Sequence, residues 1–428
     1  MSCKANIKAP AGVYMDKKET GLLFIIGILG FIIRLLWILH LDNTVDIWGD
    51  WWDEFAWNLV SGKGYMVKNP FIPSEGYYYS WRPPGFPLFL AGVYYLFGHS
   101  YLAAKIFLAI IGSFSAVPCY FIGRRMFDKT TGILAMLCIT LYPTFIFFTG
   151  YLAPETMTLF CILVFMFFLT RDMERHSLLN YILAGVFLGY SILCRTIMSL
   201  FFIFVFLWMA FNYKNKMEII KRLLLLVLFM VIIVLPWIIR NYYIHHTFVF
   251  NSTDGGQAFY INNNPQALKE PSGFAYFYNT EEFKGLNEIE VSRILYTRAV
   301  EFIKTHTLDF LKLIWRRFLN FWSPFPHTIS GPGKAYSRTH QILSGLYTIP
   351  LFILAIIGFF YSLKNWRKLS IFYFLIIYYS GTYILVRATI RYRMPIEPYL
   401  ILFASFGLCS LWTKVKNRHG NKNFLPHN

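Results

Sequence analysis

Long apolar runs separated by short basic connectors set the pattern of this chain. Candidate spans cover 21–41, 101–123, 131–149, 156–170, 178–194, 197–212, 222–239, 342–362, 370–386 and 395–412. A helix needs about 20 apolar residues to cross the hydrocarbon core of a bilayer. Within that core every backbone polar group must be satisfied internally, which leaves helices or closed barrels. These runs are too long, and too poor in alternation of period two, for barrel strands. The pattern therefore predicts an all-α polytopic membrane protein with about ten transmembrane helices.

Two stretches depart from it. Segment 83–98 is shorter than a span and opens with Pro83-Pro84-Gly85, which interrupts a helix. It reads as an interfacial or re-entrant helix on the outer side. Segment 240–341 starts polar and rich in Asn, Gly and Pro, then becomes helical in pattern from Glu288 to Trp322. The chain accordingly divides into a transmembrane module, 1–239, carrying a first outer loop at 42–100; an outer-face segment, 240–341; and C-terminal transmembrane helices with a cytoplasmic tail, 342–428. No repeat or low-complexity tract interrupts this order.

Charge orients the bundle. Arg124, Arg125 and Lys129; Arg171 and Arg175; Lys214, Lys216, Lys221 and Arg222; Lys364, Arg367 and Lys368; and Lys414, Lys416, Arg418 and Lys422 all fall on one side. Basic connectors face the cytoplasm, so both termini are expected there and the two long loops outside. Run 21–41 follows Lys4, Lys8, Lys17 and Lys18, exceeds a signal-peptide core and has no small-residue cleavage site; it reads as a retained anchor. Only 14% of the 428 residues are charged, against about 25% in soluble domains. The net charge of +18 resides in the connectors, so it does not argue for nucleic acid as a partner. All six cysteines except Cys3 lie in apolar runs, and no pair has CxxC spacing, as expected of buried thiols.

The candidate chemistry lies on the outer side. Loop 42–100 holds Asp50, Asp53 and Glu54 directly after the first span, followed by Arg82. A carboxylate can take a proton from an acceptor hydroxyl, and an arginine can hold a phosphate through its planar fork. Asp50 follows Gly49 and suits either a base or a helix N-cap; Asp53 is the alternative base. Glu155, after Pro154, sits at an outer helix start, where it can join the acidic cluster or offset the helix dipole. Arg82, Arg240, Arg391 and Arg393 map to the outer interface, as donor-phosphate ligands or as snorkelling side chains. Arg34 and Arg195 lie near outer ends of spans, with the same two readings. The histidines have no metal-ligand spacing, so a divalent metal has no motif to support it and no cofactor is indicated. The absence of a Walker loop, a Gly-x-Gly-x-x-Gly or a serine nucleophile motif argues against a nucleotide-sugar donor.

Four patches carry a family resemblance. Asp50 to Tyr65 ends in Gly62-Lys-Gly-Tyr65. Arg82-Pro-Pro-Gly-Phe-Pro87 is followed by Leu96-Phe-Gly98. Pro236-Trp-x-x-Arg-Asn241 precedes Gly255-Gly256 and Asn262-Asn-Asn-Pro265. Arg391-Tyr-Arg-x-Pro395 opens a late span. In this order they resemble the GT-C superfamily of integral-membrane glycosyltransferases, particularly the branch of dolichyl-phosphate-mannose protein mannosyltransferases and aminoarabinose (lipid A) transferases. The resemblance implies a GT-C-like bundle with outer juxtamembrane helices and a partly helical outer-face segment. It also implies a polyprenyl-phosphate-sugar donor and transfer, with inversion, to a hydroxyl of a lipid, glycan or protein acceptor. The reaction is then expected at the non-cytoplasmic face, in the cytoplasmic membrane of a bacterium, among membrane lipids. An O-antigen ligase or polymerase type of enzyme and a lipid or sugar transporter are the competing readings. The transporter predicts internal repeats and midplane charges, which the sequence does not display.

Overall fold

The structure is a computed structural model that describes residues 15–41, 51–72, 76–270, 275, 279–325 and 338–422. In chain order the helices are α1 (Lys17–His40), α2 (Trp52–Val60), α3 (Gly85–Phe97), α4 (Tyr101–Phe114), α5 (Ala116–Met126), α6 (Lys129–Leu141), α7 (Pro143–Thr149), α8 (Glu155–Asp172) and α9 (Leu178–Cys194). They continue with α10 (Phe201–Asn212), α11 (Lys216–His245), α12 (Gly255–Tyr260), α13 (Glu288–Thr305), α14 (Thr307–Trp322), α15 (Arg338–Ser362), α16 (Trp366–Val386), α17 (Ile390–Arg393) and α18 (Glu397–Lys422). The sheet content of the described residues is one antiparallel ribbon, with Val67 opposite Tyr78 and Lys68 opposite Tyr77. The chain is thus an all-α polytopic membrane protein, as its apolar runs predict.

Five helical stretches among the described residues are long and apolar enough to cross a membrane, or six if α6 and α7 form one bent span. That criterion does not reach the expected ten, because several apolar runs end in shorter or more charged helices. α8, for example, carries Glu155, Arg171 and Asp172 within 18 residues, and α9 is 17 residues long. The segment after Pro83-Pro84 forms α3, a 13-residue apolar helix too short to span a bilayer.

Helix ends explain the polar residues within the apolar layer. α6 and α7 meet at a 48° bend before Pro143, which interrupts the hydrogen-bond ladder at the last turn of α6. The fully buried Arg34 donates there to Thr140 O at 3.1 Å and Ile139 O at 3.5 Å, besides Gly30 O at 3.0 Å in its own helix. This places Arg34 in a structural role.

The remaining buried charges gather at the two ends of the bundle. At one end Glu19 meets Arg124 and Lys129, Asp172 meets Arg222 and two tyrosine hydroxyls, and Arg125 meets Glu174. Lys368 closes this end by donating to Arg125 O at 2.6 Å. Glu155 and Arg240 lie toward the opposite ends of α8 and α11, with Arg195 just after α9 and Arg391 in α17, against which α14 packs. The core between the ends is apolar and aromatic. Topology can be tested with single cysteines at two exposed positions, Lys284 and Lys364. Lys284→Cys should react with a membrane-impermeant maleimide added from the non-cytoplasmic side, and Lys364→Cys only after permeabilisation. Reversed labelling would invert the assigned orientation.

Candidate active site

The first outer loop reaches the bundle through α2 and the chain that follows it. Trp51 adopts left-handed backbone, with φ of 58°, and is itself the N-cap of α2, so the capping position does not fall on Asp50. A bulky residue in that region is strained, and such strain collects at functional sites. Asp50 lies outside the described residues. Asp53, in the first turn, is enclosed: His99 Nε2 lies 3.0 and 3.1 Å from its two oxygens, and the hydroxyls of Tyr94 and Tyr101 donate to it. Trp57 stacks on the His99 ring at 4.4 Å. Glu54 accepts the Lys68 backbone N–H at 3.3 Å and ties α2 to the ribbon.

The Gly62-Lys-Gly-Tyr65 patch has a mechanical purpose. Gly62 and Gly64 take φ of 77° and 90°, which a side chain would resist. The turn delivers the buried Tyr65 beneath the start of α3, where its hydroxyl donates to Arg82 O at 2.9 Å and Pro83 O at 3.1 Å. Burial pushes the phenol well above its usual range, so Tyr65 remains a neutral donor. The Arg82 side chain then pairs with Asp254 at 2.5 Å, its guanidinium lying 5.6 Å from the Trp52 ring and 6.0 Å from that of Trp81.

Gly85 brings this arm to the second group of charges. A Cβ there would lie 2.7 Å from Leu193 C and 2.8 Å from Cys194 N, closer than any packing allows. The missing side chain lets α3 rest directly on the end of α9, and Tyr190 Oη fixes the contact by donating to Gly85 O at 2.8 Å. The residue that follows α9 is Arg195. It donates to Oε1 of Glu155, the first residue of α8, and Arg391 of α17 donates to the same oxygen. Glu155 is fully buried, and its Oε2 has no hydrogen-bond partner among the described residues. The Tyr392 ring lies 4.9 Å from the Arg195 guanidinium and 5.8 Å from that of Arg387, and it stacks on Tyr383 at 4.6 Å. Trp52 packs in one cluster with Leu152, Met157 and Cys194, so the Arg82 and Glu155 groups share a wall.

Arg82, Arg240, Arg391 and Arg393, the candidate donor-phosphate ligands, fall into separate networks. Arg240 donates to Tyr65 O, Tyr79 O, Ser80 Oγ and Asn241 Oδ1 at 2.7–3.0 Å and lies over Trp237. Arg393 is buried against Glu397 at 2.9 Å and donates to Phe321 O and Ser323 O. Both hold backbone together. Arg82 and Arg391 are the two that stand in the acid–base clusters. Arg195, open to a snorkelling account from its sequence, is paired with Glu155 instead; the cost of a charge inside an apolar run is the signal that marks it. It did not single out Asp254 or Glu288. Glu288 joins α13 to the first loop, accepting Tyr79 N–H at 2.8 Å, Ser80 N–H at 3.2 Å and Thr253 Oγ1–H at 2.6 Å, with His245 at 3.3 Å. Among the described residues no three His, Cys, Asp or Glu side chains converge as metal ligands would. A cavity of about 820 Å³ lies beside Arg82, lined by Thr196, Ser252, Asp254, Phe259, Ser292 and Tyr296, among others.

Residues 81–239 match the family model of dolichyl-phosphate-mannose-protein mannosyltransferase. Among solved structures, the oligosaccharyltransferase of Archaeoglobus fulgidus in the apo form aligns with a TM-score of 0.56 and 15% identity, covering 94% of this chain and 52% of that one. The same organism's AglB, in complex with an inhibitory peptide and a dolichol-phosphate, aligns with a TM-score of 0.54 and 15% identity, covering 96% and 52%. ArnT from Cupriavidus metallidurans in the apo state is more distant, with a TM-score of 0.43 and 11% identity over 91% of this chain and 78% of that one. The chain spans about half the length of the archaeal structures. No curated protein matches it in sequence. The family model thus matches part of the chain, residues 81–239, and the archaeal structures show that the fold is shared.

Two predictions follow from the packing. Gly85→Ala forces α3 off α9 and should cost about 1–3 kcal/mol, the usual range for overpacking; a thermal melt of the purified protein that does not move would refute the contact. Glu288 gives a pH dependence. Burial raises its pKa above the usual carboxylate value, outweighing its donors and Arg240. Its stabilising contribution is therefore complete below the ordinary carboxylate range and declines as pH rises through the raised value. Melts from about pH 4 to pH 7 should show this decline in the wild type and a flatter profile in Glu288→Gln.

Proposed function

We propose that this protein is an inverting glycosyltransferase that moves a sugar from a polyprenyl-phosphate donor to an acceptor hydroxyl at the non-cytoplasmic face of the membrane. The observation that carries the reading is the buried Arg195–Glu155–Arg391 cluster, held by Gly85 beside the Arg82 arm at the end of a bundle of apolar helices. A lipid-linked phosphate presents its charge at that depth, and guanidiniums suit its oxygens. The family match begins at Trp81 and runs through Arg82, Glu155 and Arg195. The archaeal protein of similar fold is described in complex with a dolichol-phosphate.

In the proposed reaction a first-loop carboxylate, Asp50 first and Asp53 second, takes the proton of the acceptor hydroxyl. The acceptor oxygen bonds to the anomeric carbon from the face opposite the phosphate, and the bond from that carbon to the phosphate oxygen breaks. Its electron pair leaves with the polyprenyl phosphate, whose added charge Arg82 and Arg391 stabilise. Glu155 holds Arg195 and Arg391 in register. The bonds around Asp53 favour a bracing role for it, since His99, Tyr94 and Tyr101 already occupy both its oxygens. The acceptor enters through the cavity beside Asp254.

The test is transfer from a panel of polyprenyl-phosphate sugars to membrane acceptors by the purified protein. Arg82→Gln and Arg391→Gln should raise the donor KM by about ten- to a hundredfold, the equivalent of about 1.5–3 kcal/mol for a lost charge-assisted contact. Arg240→Gln should instead lower thermal stability. Asp50→Asn should bind donor and lose turnover. Retained turnover in both Asp50→Asn and Asp53→Asn would remove the first loop from acid–base chemistry, and no donor turnover by the wild type with any panel member would reject the function.

A further inference from the structure

A second cavity, of about 670 Å³, lies against the ribbon, lined by Tyr77, Tyr79, His245, Asn287, Glu290 and Arg293, among others. Tyr77, Tyr78 and Tyr79 follow one another in extended chain, where alternate side chains share a face. Their exposures alternate accordingly, at 47%, 3% and 39%. Tyr78 turns inward against Phe71 and Trp81. Tyr77 and Tyr79 therefore present two rings to the open side, about 7 Å apart along the strand. Among the described residues neither ring stacks on another aromatic, and neither hydroxyl has a hydrogen-bond partner.

Planar polar groups flank the rings. Asn287 uses its Oδ1 on the N–H groups of Ile289 and Glu290, and its Nδ2 has no partner among the described residues. Glu290 accepts the Asn287 N–H through Oε2, which leaves Oε1. One turn further along α13, Arg293 is exposed, and its guanidinium has no partner among the described residues. The seat is fixed: Glu288 accepts Tyr79 N–H at 2.8 Å, and Arg240 donates to Tyr79 O at 2.7 Å. Those two bonds also occupy the main-chain groups through which an extended peptide would add to the ribbon at Tyr79. Open rings beside an amide, a carboxylate and a guanidinium suit a pyranose instead. Its C–H face lies on an aromatic ring, and its hydroxyls both donate and accept.

Ile289 and Arg293 line both this cavity and the one beside Arg82, so the two adjoin across one turn of α13. Tyr79 precedes Arg82 by three residues, which keeps their Cα atoms within about 11 Å. We infer that the Tyr77–Tyr79 cavity is a sugar-binding subsite: it holds one pyranose unit of a glycan acceptor while the neighbouring unit brings its hydroxyl to the cavity beside Arg82. The subsite takes its role from the proposed transfer reaction, and it assigns the acceptor as a glycan of two or more sugar units.

The test measures binding in the absence of donor, so its outcome is separate from turnover. The full chain in nanodiscs is titrated with the monosaccharide and trisaccharide of mannose, glucose and N-acetylglucosamine, followed by saturation-transfer difference NMR. In the wild type, the trisaccharide of at least one series should bind more tightly than its monosaccharide, with saturation on ring C–H protons. Tyr77→Ala and Tyr79→Ala should each weaken that trisaccharide by about two- to tenfold, the scale of one aromatic contact. Tyr77→Phe and Tyr79→Phe keep the ring and should keep most of the affinity. Arg293→Gln, at an exposed helix position, should weaken the trisaccharide by about tenfold; it keeps the test open if an alanine variant does not fold. Wild-type affinity in the folded alanine variants and in Arg293→Gln would overturn the inference, as would no saturation from any series on the wild type. A serine- and threonine-containing peptide that binds with the same tyrosine dependence would overturn it too, because the acceptor would then be a protein. Failure of the transfer reaction shows instead as absent donor turnover, which leaves trisaccharide binding unchanged.

Discussion

A charge taken out of water has to find its counter-group inside the protein, and in this bundle those pairings decide where helices meet. The cost of an uncompensated buried ion is several kcal/mol even after relaxation, comparable with the whole stability of many domains. Glu19, Asp172 and Glu155 are each buried, and each bonds groups from at least two other helices or their ends. Glu19 and Asp172 lock one end of the bundle. Glu155 locks the other, where α8, α9 and α17 come together. Removing Glu19 or Glu155 would take a counter-ion from two cations, and removing Asp172 would leave Arg222 to Glu218 alone among carboxylates.

This constraint also separates support from chemistry among the arginines. A guanidinium has five donors in a rigid fork. Arg240 directs its fork at carbonyls and short polar side chains, and Arg393 directs its own at two carbonyls and Glu397. Those contacts define backbone positions, and a phosphate could displace them only by releasing the backbone. Arg82 and Arg391 each pair with a carboxylate, Asp254 and Glu155. An arriving phosphate can compete for such a cation on equal electrostatic terms, because one anion replaces another. The same sort of guanidinium thus serves two purposes, divided by whether its partner is a carbonyl or an anion.

Much of the bundle was legible in the sequence because lipid permits few solutions. Apolar runs, one-sided basic connectors and Pro83-Pro84 are local signals, and α1, α11 and α3 follow them closely. The family patches were legible too, although their purposes were not. Gly62-Lys-Gly-Tyr65 and Gly85 act through contacts with Arg82 and Cys194, distant in sequence. The arginines illustrate the limit. Position near the ends of apolar runs was readable for all four, but the partner of each is fixed by tertiary packing, and Arg195 could be distinguished from a snorkelling residue only once Glu155 was placed beside it. Asp254 and Glu288 carried no motif at all; they matter because the chain folds back over the first loop.

That fold-back couples the outer-face segment to the candidate site. Glu288 grips the Tyr79–Ser80 backbone just before Arg82, and Asp254 grips the Arg82 side chain. Both grips come from the segment that α14 holds in place through Arg317 and the Asn262–Asn263 turn. A shift of this segment relative to the bundle would draw on Arg82 from two directions at once, while Tyr65 beneath and Gly85 beyond keep its backbone tied to α9. Arg82 is therefore the point where the rigid bundle and the outer-face segment meet. A side chain so placed can pass from Asp254 to an incoming anion without any helix of the bundle having to move.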